Sequence, residues 1–130
     1  MNAHDAALAA AGIIGSGVAV IHGVVIQRRM VAPLRRPACA NGRVAAPIQR
    51  LVPCLLHFST FNWFLGGVVL VVAAVSFGRD ARLVAAALVG SSYLFGSLGN
   101  FWGNRGRHPG WALYALALAL IVYGVAGPNG

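Results

Sequence analysis

Four apolar runs, separated by short arginine-bearing stretches, make up the pattern of this chain. Residues 6–26 carry no charge, and at 1.5 Å per residue they cover ~31 Å, about one hydrocarbon core. Asp5 precedes this run, and Gln27, Arg28 and Arg29 follow it. That is the reverse of a secretory leader, so the run is read as a retained span. Residues 28–50 are polar and hold Pro33, Pro37 and Pro47, which argue for a loop lying on the headgroups. A second run covers residues 51–77, with Pro53 placed in its first turn, where a missing N–H costs nothing. Residues 78–82 form a tight connection, and Asp80 is expected to cap the helix that follows. The third run covers residues 83–102. The stretch 103–110 carries Arg105, Arg107 and His108, and Pro109 opens the last run, residues 111–127, which Pro128 closes.

Composition supports a bilayer as the solvent. Of 130 residues, 58% are hydrophobic and only 9% charged, against roughly 25% charged in an ordinary soluble domain. The expected fold is one all-α integral membrane domain over residues 1–130, a bundle of four transmembrane helices.

Charge then sets the orientation. The formal charge is +8, from ten arginines and only two acids, Asp5 and Asp80. The arginines flank apolar spans, which points to topology and anionic headgroups rather than to nucleic acid. Eight lie in the first and third connections and two in the second. The positive-inside rule therefore predicts both termini outside, in the periplasm of a bacterial-type cell, with the basic loop 28–50 on the cytoplasmic face of the inner membrane. Arg28, Arg29, Arg35 and Arg36 are the expected contacts to lipid or to a partner. Trp102 and Trp111 flank the third connection as interface anchors. Cys39 and Cys54 both fall on the reducing side, where a structural disulfide does not form.

Lipid is as apolar as leucine, so helices in a bilayer associate through close backbone approach at small residues. Gly12, Ser16, Ala19 and Gly23 form such a row in the first span, and Ser92, Gly96, Gly99 and Gly103 repeat its spacing in the third. The matched rows predict that these two spans touch each other or meet symmetry mates in a homo-oligomer or larger membrane complex.

Ionisable and amide side chains inside a span face the interior and have partners. Counted from the arginine boundaries, His22 lies ~9 Å deep, His57 ~10 Å and Asn100 ~7.5 Å. Cys54, three residues before His57, shares its helix face. Asn62 lies further along the same span. His22, Cys54, His57 and Asn100 thus form a polar layer near the inner leaflet. Three roles are open to it: cross-helix hydrogen bonding, a path for a small solute or ion, or a metal or haem site. His22, His57 and Cys54 would be the ligands of a soft metal, and His22 and His57 those of a haem.

Phe58, Ser59, Thr60 and Phe61 resemble the Phe-Ser-Thr-Phe segment of the small four-span fluoride channels. In that family the segment lies in the third span, after the span with the pore-lining asparagine. Here it lies in the second span and Asn100 comes after it, so no channel residue is carried over. An oligomeric anion channel remains one form of the transport reading. No catalytic arrangement is present: the two acids lie at the outer side, the buried histidines near the inner, and Gly15 to Gly17 lack the rest of a dinucleotide fingerprint. The expected role is that of a structural or accessory membrane subunit.

Overall fold

The computed structural model describes residues 2–34 and 46–127, and these are helical throughout apart from short connections, with no strand among the described residues. Four helices account for them: α1 (Ala3–Ile26), α2 (Ala46–Ser76), α3 (Arg79–Gly103) and α4 (Gly110–Val125). Three helical stretches, Ala3–Val31, Arg50–Ser76 and Arg79–Gly103, are long and apolar enough to cross a membrane, and Gly110–Val125 is a shorter apolar helix.

The start of α1 is fixed by a reciprocal cap. The Asp5 N–H donates to the Asn2 side chain at 2.8 Å, and the Asn2 N–H donates to the Asp5 carboxylate at 3.0 Å, so two free helix-end donors are satisfied at once. The far end of α1 continues through a π-helical turn, Gln27–Val31, and a short α turn, Ala32–Leu34. Ile26 and Val31 are both buried although they stand five residues apart. An α-helix would set them about 140° apart around its axis, whereas a wider turn bonded i to i+5 brings them to one face. The Ala32 N–H bonds to the Gln27 carbonyl in this i+5 pattern.

Residues 28–50, expected to be a loop, are therefore helical at both described ends. Pro47 is tolerated because it falls in the first turn of α2. Starting α2 at Ala46 moves Pro53 out of the first turn and into the helix interior, where it removes one i to i−4 bond. Asp80 does not cap α3: Gly78 occupies that position with no side-chain bond, and Asp80 sits within the first turn. There its charge meets the positive end of the helix dipole. α3 ends in a left-handed turn, with Arg105 at φ 49° and Gly106 at φ 72°. The Gly106 N–H reaches back to the Phe101 carbonyl at 2.8 Å, the backbone closure of a Schellman end.

Around the array, α1 and α3 each lie between α2 and α4, so α1 and α3 face each other across a diagonal. The small residues of α1 consequently lie against α2. Gly12 meets Gly67 backbone to backbone, Ser16 Oγ donates to the Phe64 carbonyl at 3.2 Å, and Gly23 lies against Thr60. α3 reaches α1 through long side chains, with the Tyr93 hydroxyl end against Gly15 and Arg82 on Asp5. On α3 itself, Gly96 lies beneath Trp63 and Tyr114, while Gly99 and Gly103 face open space.

At the Asp5 end, Arg82 Nη1 pairs with Asp5 Oδ1 at 2.7 Å, and Nη2 donates to the Ala74 carbonyl at 3.1 Å. Arg82 is buried. The shared core joins Leu8, Leu70, Tyr93, Tyr114 and Ile121 with the alanines of all four helices. The outward faces are largely apolar, with Phe58, Phe61, Leu88 and Phe95 exposed.

Candidate functional site

At the end opposite the Asp5–Arg82 pair, the helices form an open-sided cavity of about 600 Å³. Its walls come from the last turns of α1, the first half of α2, the last turns of α3 and the start of α4. Along its depth the lining changes character. By position along the helices, Arg29, Asn104 and His108 line its mouth at the helix ends, His22, Ser59 and Asn100 the next turn, and Val18, Trp63, Leu113 and the outward-exposed Phe95 the turn furthest in.

Each polar group is positioned by its own element. The His22 ring packs edge-on to Trp63, 4.7 Å between centroids, and Trp63 packs in turn on Tyr114 at 5.1 Å. Among the described residues nothing hydrogen-bonds the His22 ring. Asn100 and Asn104 each spend one amide N–H on their own helix, donating to the Gly96 and Asn100 carbonyls at 2.8 and 3.2 Å. That leaves each amide with a second N–H and a side-chain oxygen. His108 Nδ1 accepts the Gly110 N–H at 3.1 Å at the start of α4, so in the neutral ring Nε2 carries the proton and is a donor. Gly96 and Gly99 contribute no side chain to the space: a Cβ at Gly99 would meet nothing within 4 Å.

The structure brings His22 and Asn100 of the expected layer into this one cavity. It does not bring His57 or Cys54 there. His57 Nε2 is 2.9 Å from Gln27 Oε1, a bond that ties the π turn of α1 to α2. Cys54 Sγ donates to the Arg50 carbonyl of its own helix at 3.6 Å. Among the described residues, no three His, Cys, Asp or Glu side chains gather to hold a metal ion. Asn62 lies elsewhere again, on an outward groove between α2 and α3, where its amide donates to Ser92 Oγ at 3.3 Å. Of the arginines expected to touch lipid, Arg28 is exposed and Arg29 stands at the cavity mouth, while Arg35, Arg36 and also Cys39 lie outside the described residues.

Sequence reasoning passed over Asn104, His108, Ser59 and Trp63 as site residues. A signal for part of this set was present: Gly96, Asn100 and Asn104 recur every four residues, which sets the first two on one face of α3 and its C-cap Asn104 next in line. Compared with protein-family models, curated proteins and solved structures, the chain matches none of them.

Proposed function

We propose that this chain is a four-helix bundle crossing the cell inner membrane, both termini outside and the arginine-bearing connections in the cytoplasm, and that it binds an amphiphilic molecule from the inner leaflet. Support for insertion comes from the apolar outward faces and from the eight-to-two division of arginines between the two ends. The observation that carries the binding reading is the graded cavity: donors at the mouth, apolar side chains and glycines beneath, in the size range of small-molecule sites, ~300–1,000 Å³.

Two experiments test the two halves of this reading. With Cys39→Ser and Cys54→Ser as background, an impermeant maleimide should label Gly78→Cys in intact cells and Gly103→Cys only after permeabilisation; the opposite pattern refutes the orientation. For binding, organic extracts of the purified protein should contain an amphiphile near one per chain. The cavity-filling variant Gly99→Leu should lose it, and equal recovery from both refutes the reading.

A second reading, self-association or assembly into a larger complex as an accessory subunit, is favoured by Asn62 and Ser92. They lie on an outward groove with Gly66 and Ala85, and a polar pair facing lipid at mid-helix depth is relieved when another helix covers it.

A further inference from the structure

The cavity's charge and shape narrow its occupant. We propose that it holds a single-chain amphiphile with an oxyanion head, the head at Arg29, Asn104 and His108 and the chain against Val18, Phe95 and Leu113. This rests on the binding reading above and adds the class of ligand.

Charge is the first argument. The mouth carries the Arg29 guanidinium and the His108 imidazole, and the acids of the chain lie at the other end of the helices. Asp5 is engaged by Arg82 there, and Asp80 stands in the first turn of α3. A cationic head would find no counter-charge at the mouth, whereas a carboxylate or phosphate meets donors from three elements. Arginine suits either oxyanion, since its planar fork matches two oxygens at once.

Hydrogen-bond inventory is the second. His108 is held as a donor through Nε2 because Nδ1 is occupied by the Gly110 N–H. The free N–H of Asn104 adds another donor at the mouth, and its side-chain oxygen can accept from a head-group hydroxyl. Below them the half-buried His22 ring offers a further polar contact beside Trp63, at the depth where a head group gives way to its chain.

Shape is the third. About 600 Å³ is the scale of a drug-sized ligand, which suits a compact head with one chain rather than a two-chain lipid. Below His22 the lining is Val18 and Leu113, with Phe95 exposed at its outer edge and Gly99 keeping the space clear.

A free fatty acid and a lysophosphatidate share this chemistry, and brominated chains distinguish them. The full chain in phosphatidylcholine nanodiscs is titrated with brominated stearate, brominated lysophosphatidate, brominated monoacylglycerol and brominated lysophosphatidylcholine, following tryptophan quenching. Trp63 lines the cavity, so a bromine there is read out directly. Saturable quenching by one or both anionic probes is expected, at least about tenfold tighter than by the neutral and zwitterionic ones, with the tighter anion naming the head group. Arg29→Gln should weaken anion binding about tenfold with unchanged melting, and Arg28→Gln should leave it unaltered. Equal binding of all four probes, or indifference to Arg29→Gln, overturns the ligand class while leaving a cavity that binds amphiphiles. If no probe quenches the wild type more than Gly99→Leu, the cavity reading itself falls.

Discussion

At the end that carries Asp5, the helices are drawn together by contacts of several kinds; at the end that carries Arg29 and His108, they stand apart around a cavity. The closed end has the Asn2–Asp5 cap, the Asp5–Arg82 ion pair, the His4 ring stacked on Tyr123 at 4.5 Å, and His4 Nδ1 2.8 Å from the Tyr123 carbonyl. Gly124 lets α4 approach Leu8 of α1 there. The open end has polar groups in similar number, and His57 to Gln27 and Ser97 to the Trp111 carbonyl join helices there too, but the polar groups that line the cavity bond within their own segment or not at all: Asn100 to Gly96, Asn104 to Asn100, His108 to Gly110, and His22 to no described residue. Polar side chains in an apolar protein thus either join helices or remain available to a ligand. Which of these happens depends on whether a complementary group lies across the gap. Arg82 has a carboxylate opposite it; Arg29 has a space.

Substitutions at the two ends should differ in cost. The largest loss is expected where backbones touch. Gly67→Leu drives a side chain into the Gly12 carbonyl and Ser16 and should cost about 3 kcal/mol or more, seen as failure to fold or a large fall in melting temperature in detergent. The same change at Gly99, where a Cβ meets nothing, should leave melting almost unaltered. A comparable loss at both positions would dissolve the distinction. Smaller than the Gly67 effect is that of opening the ion pair. Asp5→Ala strands a buried guanidinium, whereas Arg82→Leu removes the charge that needs a partner, so Asp5→Ala should lower melting more. The double variant should lose less than the sum of the two, and additive losses would show that the pair is not coupled.

Much of this fold was legible in the chain. The four apolar runs correspond to the four helices because hydropathy and length report burial or lipid exposure directly. The partner of each helix was not legible. The row Gly12, Ser16, Ala19 and Gly23 gives a face, but the matching row on α3 does not identify the neighbour, since the α2 residues that meet it, Thr60, Phe64 and Gly67, do not form a row of small residues. Helix ends misled in a consistent direction. Reading the third span from residue 83 left Arg82 in a connection; the helix begins at Arg79, and that one extra turn brings Arg82 into the protein beside Asp5. Ending it at residue 102 likewise hid that Asn104 is the C-cap of a helix that runs to Gly103, in line with Asn100. The π turn was invisible for a different reason: a periodicity of 3.6 cannot report a place where the period itself changes, and Val31 reads as out of phase until the wider turn is seen.

The stacking of His4 on Tyr123 and the approach of Gly127 to the His4 ring set the first and last described turns side by side. The path of the chain is thus nearly a ring, departing and returning at one face. A pair of labels placed at the first and last described turns would share that face, a full helix length from the cavity, and would sit close enough to report each other rather than the cavity.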